Sequence, residues 1–427
     1  MQPITATPFP GVVQARHGIA RSHNRHGGGF TGVLHPLGLL YSIEANRQTK
    51  GYTMIRTAFK FATVITGFVL AGSSVLHADS FGPSSDRKHA HSRPSVTTHA
   101  TGLTNPRGLA FGPDRNLYVA EAGIGGSLTP TGGPGCPVNV NVFSPYTAGY
   151  SGRVTRVLRD GTKETVAHNL PSMTDNSGVS YGPTDVAFIG RTLYVLIEMG
   201  GCSHALPDDL PAILRINRDG STTNVANLNA WHAANPPNFI KDTNPATTDQ
   251  EPGGVFHSMI ALGKYLYVVE TNRGFLLRVN SSNGEIETLY DMSIDNREHN
   301  PIVMTQRGNN FFVGTFGEDQ GPSELAVFDK YFSGYMLPFE SRDPIVGLAW
   351  HRNQLYGVEI FPYDNQWTTD SANLVTFDRK TGTRTKVLTG FASLPNGLVE
   401  GPDGALYTSN WGISLAPEDG EVLRIVP

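Results

Sequence analysis

The chain is poor in charged residues and in cysteine. Only 16% of its 427 residues are charged, against about 25% in average proteins. With 37 acidic and 33 basic side chains the formal net charge is −4, so no basic excess indicates nucleic-acid binding. The two cysteines are too few to form a zinc cluster. A hydrophobic content of 39% and a mean hydropathy of −0.22 exclude a protein with many membrane spans.

Sequence motifs of two common enzyme classes are also missing, because the chain has neither a phosphate-binding P-loop nor a His-Glu-x-x-His zinc motif. Glycine and proline, in contrast, are abundant. The 48 glycines and 29 prolines together make up about 18% of the chain, where about 12% is usual. Both residues disfavour the interior of a helix, so this excess predicts short strands joined by many turns.

Residues 54–78 have the organisation of a secretory signal peptide. Met54 begins a segment with two basic residues, and sixteen uncharged residues (61–76) and then Ala78 follow. Basic, apolar and small residues in this order predict a signal peptide with cleavage after Ala78. An uncleaved membrane anchor is the alternative. Cleavage would make the mature chain a secreted or periplasmic protein.

The segments on either side of the signal peptide are expected to contribute nothing to the fold. Residues 1–53 show no apolar periodicity, so they represent either a mis-assigned upstream start or a disordered extension. Residues 79–94 are polar and are interpreted as a disordered linker. A net charge of +4 over 1–53 and +2 over 54–78 leaves −10 on the rest of the chain. The part that would meet a ligand is therefore clearly acidic.

A pattern of turn, apolar strand, turn and Leu-Tyr-like strand recurs six times between residues 95 and 427. In most copies a second hairpin follows, with Asp-Gly or Asn-Gly at its turn. Each repeat thus predicts four antiparallel strands, and roughly 55 residues per repeat is the size of a propeller blade with insertions. We therefore predict an all-β fold, a single six-bladed β-propeller with four-stranded antiparallel blades over residues 95–427.

The sixth repeat ends one strand short, at Val422–Val426. The segment Ser95–Ala100 precedes the first repeat and has the composition of a strand. We expect it to supply the outer strand of the last blade. This pairing would close the ring and remove a free sheet edge.

The first two repeats have the most specific sequence. Residues 103–122 read Leu-Thr-Asn-Pro-Arg-Gly-Leu-Ala-Phe-Gly-Pro-Asp followed by Leu-Tyr-Val-Ala-Glu-Ala, and residues 182–196 read Gly-Pro-Thr-Asp-Val-Ala-Phe followed by Leu-Tyr-Val-Leu. This sequence resembles the ScyD/ScyE propeller family, known from gene clusters for the cyanobacterial pigment scytonemin, and it is also similar to NHL repeats. The resemblance extends over 95–427 and implies a secreted six-bladed propeller related to the NHL and gluconolactonase-like groups. It implies no catalytic residues.

In a propeller, the loop leading into the innermost strand and the loop leaving the second strand lie on one face, called here the top face. Four connections on this face are elaborated: those after Glu121, Glu198 and Glu359, and the segment 231–253. Long loops on a rigid scaffold commonly carry function. Cys136 and Cys202 lie in equivalent loops of adjacent repeats, which predicts a disulfide between them. Two free thiols too far apart to bridge are the alternative.

An acidic or polar residue recurs at the end of the Leu-Tyr strand, at Glu121, Glu198, Glu270, Thr315, Glu359 and Asn410. One interpretation is a divalent cation, Ca²⁺ or similar, bound at the channel mouth through Glu121, Asp185, His257 and Glu270, as in gluconolactonase-like propellers. The other is that each residue caps backbone amides of its own loop. Its recurrence in several repeats favours capping, because a catalytic site is not six-fold symmetric.

The residues that lead into the innermost strands differ between repeats, as residues of a binding site would. They are Arg107, Asp185, His257, Asn300, Asp343 and Asn396. Two tryptophans in top-face loops, Trp367 and Trp411, are further candidate contacts.

Two functions are consistent with this sequence. The first is an exported, monomeric, non-catalytic propeller that binds a small molecule, a glycan or a protein on its top face, with no nucleic acid and no membrane span in the mature chain. The second is a metal-dependent lactonase or other hydrolase. Its ligands would come from Glu121, Asp185, His257, Glu270, Asn300 and Asp343.

Overall fold

The structure, a computed structural model, describes residues 93–317, 323–337, 343–360, 369–378, 381, 383–413 and 418–427. The predicted N-terminal extension (1–53), the signal peptide (54–78) and most of the linker (79–92) lie outside these residues.

The described chain forms six antiparallel sheets, which are the blades of a propeller. The outer strand of blade six comes first, β1 Ser95–Leu103. Blade one has β2 Pro106–Phe111, β3 Leu117–Glu121, β4 Thr147–Val157, β5 Lys163–Thr174 and the short β6 Ser180–Tyr181. Blade two has β7 Pro183–Ile189, β8 Thr192–Ile197, β9 Ala212–Ile216 and β10 Thr222–Asn227. Blade three has β11 Phe256–Leu262, β12 Tyr265–Glu270, β13 Phe275–Asn280 and β14 Ile286–Asp291.

The last three blades follow the same order. Blade four has β15 Pro301–Arg307, β16 Asn310–Thr315, β17 Leu325–Asp329 and β18 Gly334–Leu337. Blade five has β19 Ile345–His351, β20 Gln354–Glu359, β21 Asn373–Phe377 and β22 Arg384–Thr389. Blade six has β23 Asn396–Glu400, β24 Leu406–Asn410 and β25 Gly420–Val426. The first strands of successive blades contact each other in a closed cycle, so they surround a central channel.

The ring closes as the sequence predicts. The outer strand β1 pairs antiparallel with β25, and the register matches Ser95 to Val426 and Thr98 to Leu423. Blade six therefore has the order β1-β25-β24-β23 and combines both ends of the propeller. The predicted fold, six four-stranded blades closed by the N-terminal strand, is confirmed.

Apolar residues from adjacent blades pack between the sheets. In the contact between blades two and three, Ala187 and Tyr194 lie in one cluster with Phe256, Met259 and Leu266. Similar clusters occupy the other contacts, since alternate residues of each strand are apolar. Removing these apolar surfaces from water is the main force that holds the ring together.

The turn between the first two strands of a blade needs a residue with a left-handed backbone. Glycine, which adopts this conformation at no steric cost, supplies it in four blades. These are Gly190, Gly263, Gly308 and Gly404. In blades one and five the residues with positive φ in this turn are Arg115 (φ 64°) and Arg352 (φ 48°).

The top-face loops of blades one and two are tied together. Cys136 and Cys202 form the predicted disulfide, with a Cα–Cα distance of 5.2 Å and a separation of 66 residues. Nearby, the buried His204 lies 3.0 Å through Nε2 from Glu251 Oε2, and the Tyr146 hydroxyl donates to Glu251 Oε1. Residues of three top-face connections thus form one buried cluster beside the disulfide.

Two local features differ from the expected blade pattern. Strands β4 and β5 extend beyond the predicted hairpin, because β4 already begins at Thr147. The connection into blade three starts with an unexpected short helix, α1 Leu228–Ala234, which Asn227 caps by accepting a hydrogen bond from the amide of Ala230. In the part of the chain that the structure describes, no helix is long and apolar enough to cross a membrane.

Candidate functional site in the central channel

Each innermost strand is irregular near its top end. In β11, Phe256 pairs with Glu270 and Ser258 pairs with Val269, so His257 is an extra residue without a partner. The same shift makes Thr184, Ile302 and Val346 the extra residues of blades two, four and five. Such a bulge re-aims side chains, and bulges are frequent beside active sites. Here they bring His257, Ile302 and Val346 to the mouth of the channel.

His257 joins two blades on opposite sides of the ring. Its Nδ1 lies 2.9 Å from Glu198 Oε1, at the end of β8, and its Nε2 lies 3.1 Å from Asn396 Nδ2, on β23. The amide nitrogen of Asn396 is a donor, so Nε2 accepts and Nδ1 carries the proton that is donated to Glu198. The side chain of His257 is only 12% exposed. The pair His257–Asn396, called here the crossbar, thus spans the channel from blade three to blade six.

The crossbar separates two cavities. Below it, a channel of about 450 Å³ runs the length of the innermost strands. Above it, a mouth pocket of about 70 Å³ includes Arg107, Phe316 and Ile360 in its lining. His257 and Asn396 line both cavities. The crossbar therefore lies at the boundary between the mouth pocket and the channel.

Asp185 lies in the upper part of the channel. Its carboxylate accepts hydrogen bonds from the amides of Val186 (2.8 Å) and Met259 (2.7 Å). Burial raises its pKa to about 7. Blade one makes room for this carboxylate with Gly108, because a Cβ there would lie 2.2 Å from Asp185 Oδ1. At neutral pH Asp185 is thus able to donate or accept a hydrogen bond toward the channel.

Arg107 and Glu198 place further charge around the mouth. Arg107 is buried and donates to the carbonyl of Ser180, while its Nε has no hydrogen-bond partner among the described residues. Glu198 Oε2 is likewise buried and without a partner there. A buried polar atom without a hydrogen bond costs about 1–3 kcal/mol. Since Arg107 lines the mouth pocket, its Nε is placed to donate a hydrogen bond to a molecule bound there.

Several of the recurring residues at the ends of the second strands serve their own loops, whereas Glu198 contacts His257 and Glu359 pairs with Arg384. Glu121 accepts from the amide of Thr104 (2.6 Å) and pairs with Arg153, and Glu270 accepts from the amides of Val255 and Arg273. Asn410 accepts from the amide of Ser393 in the same way. All these side chains are buried. This geometry is the loop capping described above as the second interpretation.

The predicted cation ligands do not come together as one group. Glu121 lies on blade one and Glu270 on blade three, so blade two stands between them. Of the four, only Asp185 and His257 line the channel. Within the described ranges, no group of three or more His, Cys, Asp and Glu residues is placed to hold a metal ion.

Three further predicted site residues are not in the channel lining: Asn300, Asp343 and Trp411. Asn300 is buried and accepts from the amide of Phe316, and Asp343 pairs with Arg384. The channel lining at these two blades consists of Ile302 and Val346 instead. Trp411 has a left-handed backbone and donates its amide to Ser393, while Trp367 lies outside the described residues.

Residues Gly178–Gly182 match the Gly-x-Ser-x-Gly pattern of serine hydrolases. The structure gives the pattern no such role. Ser180 is buried in the short strand β6, and its hydroxyl lies 3.1 Å from that of Thr174. No strand-to-helix turn is formed there, and within the described residues the hydroxyl of Ser180 has no histidine as a hydrogen-bond partner.

Comparison with known proteins adds the following. No family model and no curated protein matches the chain. Among solved structures, a putative glucose dehydrogenase from Thermus thermophilus shares 16% identity with a TM-score of 0.48, over 78% of this chain and 100% of that one. The PQQ-bound aldose sugar dehydrogenase from Streptomyces coelicolor shares 14% with a TM-score of 0.45, over 78% and 98%. An auxiliary nutrient-binding protein from Bacteroides thetaiotaomicron shares 10% with a TM-score of 0.46, over 78% and 76%.

Proposed function

We propose that this protein is a non-catalytic binding protein that holds a small, neutral, hydroxyl-bearing molecule in its channel, directly below the crossbar. The observation that carries this proposal is the hydrogen bond between His257 and Asn396, which places an imidazole and an amide across the top of a 450 Å³ cavity. Ligand pockets commonly combine a mostly apolar wall with a few convergent polar groups.

The chemistry of the wall selects the ligand class. Aliphatic residues such as Val186, Ile302 and Leu348 form much of the lining. The polar groups near the crossbar are Asp185, whose pKa burial raises to about 7, and the crossbar pair itself. The described lining contains no lysine or arginine, so an anion would find no countercharge there. Groups that both donate and accept hydrogen bonds fit hydroxyls best.

The protein is further proposed to be an exported propeller of the ScyD/ScyE type. The basic and apolar segment 54–78 and the resemblance in the first two repeats support this proposal. The Cys136–Cys202 disulfide agrees with it, since disulfides persist mainly in oxidising compartments. N-terminal sequencing of the mature protein tests export, and we expect the first residue to be Asp79.

Saturation-transfer NMR with D-glucose, D-galactose and myo-inositol on the purified protein tests the proposed binding. We expect transfer to at least one compound at millimolar concentration, and its loss in Asn396→Leu, which removes the donor of the crossbar but keeps the side chain's size. Asn310→Leu is the matched control, because Asn310 is exposed at the start of β16. No transfer to any compound, or equal transfer in Asn396→Leu, would overturn the proposal.

The competing hypothesis is a hydrolase with a divalent cation. The residues do not fit this ion at the predicted place, because the oxygens of Glu121 and Glu270 are occupied by loop donors of two separate blades. The cation stays a prediction, and elemental analysis of the purified protein for calcium and zinc tests it. One bound equivalent that survives dialysis would favour the hydrolase, and a lactone and ester panel would then follow.

A further inference from the structure

A second cavity lies on the opposite face, at the contact where blade six meets blade one. This seam pocket has a volume of about 260 Å³. Its lining includes the aromatic rings of His99, Phe111 and Tyr407 and the side chains of Arg115, Arg159 and Arg424. Tyr407 packs edge-on against both His99 (5.3 Å) and Phe111 (5.1 Å). The pocket therefore has an aromatic wall and a cationic wall.

Arg115 occupies a position where glycine would be easier to accommodate. Its φ of 64° is left-handed, which is costly for a residue with a Cβ. The equivalent turn of blade six, Gly401–Ala405, has Gly404 at this place. The arginine instead reaches across the blade contact, where its Nη2 donates to the carbonyl of Pro402 over 3.2 Å. This turn thus holds a guanidinium at the rim of the seam pocket.

The pocket has positive charge that the protein does not neutralise. Asp403 is the one acidic residue in the lining, and it is already paired with Arg424 through two nitrogens at 2.8 Å. Arg115 contacts only a carbonyl, and Arg159 has no ion-pair or hydrogen-bond partner among the described residues. Two exposed guanidiniums without a carboxylate partner therefore border the cavity.

His99 adds to the aromatic wall and not to the charge. Burial lowers its pKa, so the ring is neutral at pH 7 and offers an apolar face. Beneath it, Leu117 and Val157 are fully or almost fully buried and form the floor. A ligand with a flat apolar ring would place the ring on this floor and its charged group at the rim of the pocket.

From this arrangement we propose that the seam pocket binds a small aromatic carboxylate, with its ring on the wall of Phe111 and Tyr407 and its carboxylate between Arg115 and Arg159. Guanidinium groups bind carboxylates with paired, charge-assisted hydrogen bonds. An aromatic ring suits edge-on contacts with the side chains of the wall. The site differs from the one proposed in the upper channel, because none of Asp185, His257 and Asn396 lines it, although Phe111 lines both cavities.

Titration calorimetry of the purified protein with benzoate tests the proposal. Benzyl alcohol, which keeps the ring without the charge, and acetate, which keeps the charge without the ring, are the paired probes. We expect benzoate to bind at least about tenfold more tightly than either, and to weaken as salt is added.

The variant Arg115→Gly removes the guanidinium and relaxes the backbone, so it is not expected to unfold the protein. We expect it to weaken benzoate binding about tenfold. Arg352→Gly is the matched control, because Arg352 is the other arginine with positive φ in such a turn and lies on blade five. Benzoate binding that is absent, equal to that of benzyl alcohol, or unchanged in Arg115→Gly would overturn the proposal.

Discussion

His257 of blade three and Asn396 of blade six form a hydrogen bond of 3.1 Å across the central channel. The two residues are 139 positions apart in sequence and lie on opposite sides of the ring. Glu198 holds the other nitrogen of the imidazole at 2.9 Å. The orientation of His257 is therefore fixed from both sides, which makes its ring a defined surface for whatever occupies the channel.

The first prediction concerns the tautomer of His257. Because Asn396 donates to Nε2 and Glu198 accepts from Nδ1, the neutral ring should carry its proton on Nδ1. Long-range ¹⁵N–¹H NMR of the histidine rings distinguishes the two tautomers directly. We expect the Nδ1–H form in the parent protein and a mixture in Asn396→Leu. An Nε2–H ring in the parent protein would show that the crossbar is absent.

The second prediction concerns the disulfide. The bond closes a separation of 66 residues between two top-face loops. Loop-closure entropy over this length is worth about 4 kcal/mol in the chain-entropy model. Replacing both cysteines with serine should therefore lower the free energy of unfolding by about 2–4 kcal/mol, as measured by urea denaturation. Proteolysis should speed up within the loop after Glu121.

The control is to treat both the parent protein and the double serine variant with a reductant. It should destabilise the parent protein and leave the double serine variant unaffected. If the double variant is as stable as the parent protein, the loops are held by the Tyr146–Glu251–His204 contacts alone.

The third prediction concerns pH and His232. Burial, and then the Arg273 guanidinium, lower the pKa of His232 from 6.5 to about 3. Between pH 6.5 and about 3, His232 is protonated in the unfolded chain but neutral in the folded protein. The free energy of unfolding therefore decreases as the pH falls through this window. The loss approaches about 1.4 kcal/mol per pH unit for this one group.

The variant His232→Gln removes that proton uptake. Its deficit in unfolding free energy relative to the parent protein should be largest near neutral pH and should shrink by about 2–3 kcal/mol toward pH 4. Urea denaturation across this range measures the deficit. His168→Gln, at an exposed position on β5, is the control and should show no such trend. A deficit of His232→Gln that does not change with pH would contradict the burial of a neutral imidazole.

The fourth prediction concerns ring closure. Ala100 on β1 is 5% exposed and packs with Leu103 and Val422, whereas Thr98 on the same strand is exposed. Ala100→Asp buries a charge without a partner and should cost about 3 kcal/mol or more, with aggregation through the freed edge of β25. Thr98→Asp should change the thermal midpoint little. Equal midpoints for the two variants would mean that β1 does not complete blade six.

The sequence was sufficient to predict the architecture because the relevant signals are repeated or local. Alternating apolar residues recur in every blade and Asp-Gly or Asn-Gly turns in most of them, so each copy supports the others. The sixth repeat lacks its outer strand, and Ser95–Ala100 has the composition of a strand. The structure pairs this segment with β25. The disulfide followed from equivalent positions in adjacent repeats.

The site was harder to predict because the bulges break the period of two. A single inserted residue moves His257 to the channel and also replaces Asn300 and Asp343 by Ile302 and Val346 at the lining. The contact of His257 with Glu198 was not predicted either, although Glu198 is among the residues that recur at the ends of the second strands. Nothing in one sequence indicates which residues meet across a ring, as His257 and Asn396 do.

The most direct test of the central claim is a crystal structure of the protein soaked with the panel compound that gives the strongest saturation transfer. We predict that the compound lies in the channel below the crossbar, with hydroxyls within hydrogen-bond distance of Asp185, His257 and Asn396. A compound bound elsewhere, with the channel holding only water, would contradict the account.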